Sequence, residues 1–503
     1  MKPIRVLQLG GEDWSQTLRI PAGVQWYFND LAQLKAQLKV KKMRFELLII
    51  ADQLEMTPVE WEQLHAKVDP YNVVFLPEAT GDELQQYFLA RTQARLLKSD
   101  RQAFVSAIPQ YYYVGQQGMG IGPDAFSVSP SYQGSQRWKD SAALELTVDS
   151  DDWEPLANLR TNLFVDPKRQ LTVWPVFQHD ANVEIRYRFV LVYGSERQTY
   201  EFSEAQLQKP QVIPTPIIAR NQFLSVIIFV KGHGQITLGN LELRWARYGL
   251  GTFINGGQAW QDLESRDEVQ FFFNPGDLRP PLCVYFAGYH SKKSFEGYFM
   301  MKKMKVPYLL ITDSRLEGGA FYTGPFFNQA VPKIIDQHLQ LLGFDHTQLV
   351  MSGISMGTYG AIKFGLRQKA HAVIAAKPLV HLGTIAQRSR LARPDEFGTS
   401  FDLARELIAA PNELDETSLR QLDQKIIDAL IHEDASETSL NLAYMFDDDY
   451  DPNALAVLKK HLLGRARQIN YYGLPGRHND DSSGMIKWFL RQYERVLKED
   501  FGR

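Results

Sequence analysis

The chain has 503 residues, 44% hydrophobic and 22% charged, with a net charge of −3 and a single cysteine. This is ordinary composition for a soluble globular protein, and the length suits about three domains. The basic pairs Lys41-Lys42, Lys292-Lys293 and Lys302-Lys303 are too short to track a phosphate backbone, which argues against a nucleic-acid partner; one cysteine excludes a disulfide framework and zinc-ribbon spacing and fits a reducing compartment.

From the N-terminus, Met1–Gly10 lacks the apolar core of a signal peptide, and no apolar run reaches the roughly 18 residues of a membrane span. A cytoplasmic protein without a transmembrane segment is expected. Residues 1–115 alternate short apolar runs with amphipathic ones. Ile4–Leu9, Leu47–Ala51, Val73–Leu76 and Phe104–Ile108 read as strands, and Phe28–Lys39, Pro58–Val68 and Asp82–Leu97 as helices, in a small parallel α/β domain. Gly10-Gly11 ends the first strand, but Glu12-Asp13-Trp14 follows in place of a third glycine and would set acid against a pyrophosphate. No nucleotide site is expected there.

Over 116–255 the helical period gives way to alternating runs between turn residues: Leu144–Val148, Leu171–Trp174, Val183–Val192, Gln211–Ile218, Leu224–Val230 and Gln235–Arg244. They predict an antiparallel β-sandwich of the kind found in carbohydrate-binding modules. Trp138, Trp153, Trp174 and Trp245 read as core fillers, with any exposed one free to stack on a sugar.

Over 256–503 the α/β pattern returns as an expected doubly wound, α/β-hydrolase-like sheet. Its strands are Leu282–Phe286, Tyr308–Thr312, Leu349–Ser352, Ala372–Ala376, Leu440–Tyr444 and Gln468–Tyr472; its helices are Gln329–Leu342, Ser418–Ile431, Pro452–Leu463 and Met485–Lys498. Cys283 sits in one of these apolar strands and reads as a small core residue. A polar insert at about 380–435 is expected as a lid.

The third strand of that series runs into Gly353-Ile354-Ser355-Met356-Gly357, followed by a small-residue helix. Strand, Gly-x-Ser-x-Gly and helix are the parts of a nucleophile elbow, in which the glycines let strand and helix pass closely and Ser355 stands clear of the sheet. A serine hydroxyl needs a base, and in this arrangement acid and then histidine follow in chain order. Of His371, His381, His432, His461 and His478, only His478 lies in the loop between the last strand and the last helix. The acid should follow Leu440–Tyr444, where Asp447, Asp448, Asp449 and Asp451 crowd together. Asp448 is preferred and Asp447 comes second; others of the four can serve the turn or cap a helix. An EF-hand is excluded, because Pro452 and Leu458 stand where Gly and Glu are required. Backbone N–H groups of Met356 and of Gly288 or Tyr289 are candidates for an oxyanion hole. Asp313 and Arg315, on another strand end, either bind substrate hydroxyls or pair with each other.

The elbow, together with Phe286-Ala287-Gly288-Tyr289, Phe295-Glu296-Gly297-Tyr298, Asp448-Asp449-Tyr450-Asp451, Gly476-Arg477-His478-Asn479-Asp480 and the opening Leu7-Gln8-Leu9-Gly10-Gly11-Glu12-Asp13-Trp14, resembles the second accessory secretory proteins of the accessory Sec system over essentially the whole chain. That resemblance implies an O-acetyltransferase acting on N-acetylglucosamine of serine-rich-repeat glycoprotein adhesins and supporting their export. It implies a cytoplasmic protein, or one peripheral at the inner face of the membrane, working with sibling accessory proteins and a motor ATPase. The implied triad falls on Ser355, Asp448 and His478. No bound cofactor or metal is implied, but an acetyl donor is required, and no stretch of the sequence resembles a coenzyme A phosphate site. A carbohydrate esterase with the same triad, and a non-catalytic export chaperone, are the rival readings.

Overall fold

The computed structural model describes residues 3–503 apart from 30–32, 35–42, 216–220, 291, 317, 388–399 and 408–414. Three sheets follow one another along the chain. The first is five-stranded and parallel, in the order Val24–Asn29, Ile4–Leu9, Leu47–Ile50, Val73–Phe75 and Arg95–Leu96. Two expectations fail here. Phe104–Ile108 is no strand but part of the helix Arg101–Tyr111: Asp100 accepts the Ala103 N–H as a cap, and the buried Val105, Ile108 and Tyr112 recur at helical spacing. The helix expected over Asp82–Leu97 ends at Arg91, Gln93 turns the chain at φ 47°, and Arg95–Leu96 pairs with Val74-Phe75. Of the helix expected at Phe28–Lys39, Phe28 belongs to a strand and most of the rest lies outside the described residues.

The second sheet is antiparallel and ten-stranded. The runs expected as two strands at Leu224–Val230 and Gln235–Arg244 are one strand, Gln222–Trp245, which pairs with five others and joins the strands into a single network. Gly232 and Gly234, at φ 115° and 152°, let it bend where its pairing register shifts. Of the run Gln211–Ile218, Gln211–Ile213 is strand and 216–218 lie outside the described residues. Trp174 is fully buried, whereas Trp138 is exposed.

The third sheet has eight strands in the order Gly257–Gln261, Glu268–Asn274, Tyr308–Asp313, Leu282–Phe286, Leu349–Ile354, Ala372–Ala376, Ser439–Met445 and Gln468–Leu474. The last six pair in parallel, but the first two pair antiparallel and make the sheet mixed. The Phe271-Phe272-Phe273 run carried a signal for the second of them. Alternate residues feed two cores. Leu282, Val284 and Phe286 face the helices Pro325–Leu342 and Gly357–Arg367, while Cys283 and Tyr285 face the last helix, Ser482–Glu499. Within the expected lid, Leu382, Ile385, Leu403, Leu422, Ile426 and Leu430 are buried in the first of these cores, and Asp402 accepts the Ser141 N–H at 3.1 Å. The described part of the insert is thus fixed to the body of the protein; 388–399 and 408–414 lie outside the described residues.

Candidate active site

Ser355 sits at φ 55°, a left-handed conformation costing a non-glycine residue about 1–3 kcal/mol. Its N–H donates to the Ala376 carbonyl of the neighbouring strand at 2.9 Å, which holds the turn. The two glycines are required by contact. A Cβ at Gly353 would lie 2.3 Å from the Gly357 backbone, and one at Gly357 would lie 2.1 Å from the Phe286 carbonyl oxygen. The strained turn therefore raises Ser355 at the C-terminal edge of the sheet.

There, Ser355 Oγ lies 2.9 Å from His478 Nε2, and His478 Nδ1 lies 2.8 Å from Asp448 Oδ2. A Nδ1–H donating to Asp448 leaves Nε2 to accept from the serine. His478 is 1% exposed, so water does not compete for these bonds. Burial alone would raise the Asp448 carboxyl. The His478 hydrogen bond and charge, with the Tyr450 and Asp451 N–H groups on the carboxylate, outweigh it and hold the group below its ordinary range.

The neighbouring aspartates divide the remaining work. Asp449 accepts the His478 backbone N–H at 3.0 Å. Asp451 accepts the Val380 and His381 N–H groups and lies 2.7 Å from His381 Nδ1, which ties down the chain after the neighbouring strand Ala372–Ala376. Asp447 is exposed, and its N–H bonds Gly476. Among the histidines set aside, His371 lies 2.8 Å from Asp500 and His432 bonds its own helix.

The other site expectations fare unevenly. Met356 follows the serine at the start of the helix Gly357–Arg367, where the sequence placed it. Gly288 does not present a donor to an oxyanion, because its N–H is donated to Glu296 Oε2 at 2.5 Å. The ring of Tyr289 packs over Gly318. Of the two uses expected for Asp313 and Arg315, the pairing is seen: Nη2 lies 2.9 Å from Oδ2 and Nε 3.0 Å from Oδ1. Asp313 also accepts the Ala320 and Tyr322 N–H groups and is fully buried, so the pair braces the loop beyond the strand. Burial raises the Asp313 carboxyl, but Arg315 outweighs it and lowers the group overall.

Sequence reasoning assigned no role to three residues that shape the site. Tyr450 stacks on the His478 imidazole, centroids 4.3 Å apart and planes within 5°, and its hydroxyl accepts from Asn479. Glu296 holds the loop at Gly288. Lys377, at φ 56°, is buried beyond the strand Ala372–Ala376; burial lowers its pKa, and the charges of Asp448, Asp481 and Asp480 oppose the shift. Tyr450 and Glu296 stand inside motifs visible in the sequence, but neither contact, to His478 or to Gly288, follows from the spacing within a motif.

The family described as accessory Sec system GspB-transporter matches residues 4–503. An accessory Sec system protein of Staphylococcus aureus (strain NCTC 8325 / PS 47) is 32% identical, over 100% of this chain and 98% of its own length. One from Streptococcus gordonii is 33% identical, over 99% of each. Among solved structures, a chain of the glycosylation-associated protein (Gap123) complex from Streptococcus agalactiae superposes with a TM-score of 0.88 at 30% identity, covering 100% of this chain and 99% of that one. The chain belongs to the accessory Sec system GspB-transporter family.

Proposed function

We propose that this accessory Sec protein is a serine-dependent O-acetyltransferase of α/β-hydrolase type, acting on N-acetylglucosamine of a serine-rich-repeat glycoprotein and supporting its export. The observation that carries the reading is the line of hydrogen bonds from Ser355 through His478 to Asp448, set on a strained elbow. Ser355 Oγ attacks the carbonyl carbon of an acetyl donor as its proton passes to His478 Nε2. The tetrahedral intermediate collapses, the donor's leaving group takes that proton, and an acetyl-serine ester remains. A sugar hydroxyl then attacks the ester, His478 takes its proton, and the proton returns to Ser355 Oγ as the acetylated sugar departs. Asp448 holds the imidazole orientation and stabilises its charged form. With Gly288 engaged by Glu296, the N–H groups of Met356 and Tyr289 are the assigned oxyanion donors.

In this reading residues 256–503 carry the chemistry, while 1–115 and 116–255 supply contacts to the glycoprotein and to accessory partners. The likeness to a chain of the Gap123 complex favours assembly with sibling accessory proteins; a place at the cytoplasmic side, with the motor ATPase further along the export route, is part of the same proposal. Among the described residues no helix is long and apolar enough to cross a membrane. The same likeness favours, as a second reading, a scaffold role in which the fold serves binding. Incubation with an activated acetyl ester, with and without a glycosylated acceptor, tests both. Acetylated acceptor supports the transferase, free acetate alone an esterase, and no turnover the scaffold.

A further inference from the structure

The third sheet ends on Gln468–Leu474, which pairs with Ser439–Met445 on one side and, among the described residues, with no strand on the other. None of its seven residues is buried, whereas its neighbour Ser439–Met445 is buried at all positions but Tyr444. Edge strands are ordinarily blunted by charge, proline, a bulge or brevity. This one holds no charged residue and no proline, and its register runs unbroken from Gln468 to Leu474. Tyr471 and Tyr472, adjacent and therefore on opposite faces, are each 51% exposed. The open N–H and C=O groups of such an edge are a template for one more strand.

The surroundings describe what that strand carries. A groove of about 450 Å³ runs between this edge and the last helix, Ser482–Glu499. Asn470, Tyr472 and Leu474 line it from the strand, and Lys487, Trp488 and Arg491 from the helix. Lys487 and Arg491 are exposed, and no carboxylate shares the lining, in a chain whose net charge is −3. Of the nearby acids on the helix side, Glu494 is off the lining, and Asp481 caps the helix by accepting the Gly484 N–H at 2.7 Å. Four helical residues rise about 6 Å, and alternate residues of a strand repeat every 6.6–6.8 Å or about that, so Lys487 and Arg491 match acids at alternate positions of an added strand. A second copy of the chain docked antiparallel on the same edge would set its own Lys487 and Arg491 against these, like charge against like.

We propose that this edge takes one added strand, an extended segment of a partner protein with acidic side chains at alternate positions turned towards Lys487 and Arg491. This adds a partner contact on the catalytic sheet to those assigned to residues 1–255. Ser355, His478 and Asp448 are not on the lining, so the acyl-transfer reading can fail without touching it. The full chain is titrated calorimetrically with a capped octapeptide alternating Glu and Val, with the same composition reordered as Glu-Glu-Val-Val repeats, and with two alternating peptides N-methylated at every Glu or at every Val. The alternating peptide should bind at least about tenfold more tightly than the reordered one, and one of the two methylated peptides should lose about as much. Lys487→Glu combined with Arg491→Glu should weaken the alternating peptide by a similar factor with the melting temperature unchanged, and should admit a Lys-Val octapeptide that the native chain refuses. No binding of the alternating peptide at millimolar concentration, equal binding of the reordered one, indifference to both methylations, or failure of the Lys-Val peptide to bind the double variant would each overturn the proposal. Self-association of the peptide-free chain that the same two substitutions change would give the edge to a second copy and overturn it as well.

Discussion

The backbone N–H of Gly288 donates to the carboxylate of Glu296 at 2.5 Å, and the carbonyl of the preceding Ala287 accepts from the Tyr322 hydroxyl at 2.6 Å. One peptide unit is therefore gripped at both ends, immediately after the strand Leu282–Phe286 and beside the elbow. Gripping it fixes the direction of the next N–H, that of Tyr289. Glu296→Ala should lower kcat on a small acetyl ester by about 10- to 100-fold with little change in KM, since removing one oxyanion donor outright costs about 10²–10³ and misplacing one costs less. Glu296→Gln should retain most of the rate, because its amide oxygen can still accept the Gly288 N–H. Steady-state kinetics of the two variants check this.

Removal of the nucleophile or base should be far more severe. Ser355→Ala and His478→Ala should each reduce acyl transfer by about 10⁴–10⁶, with circular dichroism and melting unchanged. Substantial turnover by either folded variant would remove the assigned chemistry.

Asp448→Asn should cost about 10⁴ in kcat, because an amide presents the wrong partner to His478 Nδ1. Asp447→Asn should be close to wild type, since its side chain is exposed and makes no bond to the imidazole. Asp449→Asn tests the neighbouring position. Its oxygen can still accept the His478 backbone N–H, so the loss should be smaller than for Asp448.

Lys363 lies in the elbow helix, donates to the Tyr322 carbonyl, and has its pKa lowered to about 7 by burial, with Arg315 and Arg367 adding to the shift. Between about pH 7 and the ordinary lysine value near 10.4, the unfolded chain holds a proton that the folded protein has shed. Folding stability contributed by this site therefore rises across that interval, and below pH 7 the protein bears the cost of a buried charge. Lys363→Met should raise the melting temperature at pH 6–7, and the gain should shrink towards pH 10. Thermal melts across that range give the answer.

The second and third sheets share a fully buried ion pair, Arg244 Nη2 to Glu268 Oε2 at 2.7 Å, with the side chains 6% and 4% exposed. Burial raises the Glu268 carboxyl, but Arg244 overcomes it and lowers the group. Arg244→Met should destabilise the protein by about 3–5 kcal/mol, since it strands a buried carboxylate, and a second Glu268→Met change should recover part of that loss. Denaturant titration of single and double variants measures the coupling. For the same reason, a 256–503 fragment should fold poorly.

The sequence by itself determined whatever depends on neighbours along the chain. Apolar runs gave the six parallel strands of the third sheet. Gly353 and Gly357 flagged the elbow through a steric requirement local to five residues, and chain order after Ser355 singled out His478. Local information failed where period and tertiary partner disagreed. Phe104–Ile108 is apolar enough for a strand, yet its capped helix buries Val105 and Ile108 along one face. Four clustered aspartates are nearly equivalent as sequence; only the fold, bringing together loops 30 and 71 residues apart, gives Asp448 the imidazole and Asp451 the chain after the neighbouring strand Ala372–Ala376. Likewise Arg315 had two equal uses until the turn placed its guanidinium on Asp313, and the glycine that looked like a donor had its hydrogen bond taken by an acid eight residues away. Hydrogen-bond partners are fixed by packing, and packing is a property of the whole chain.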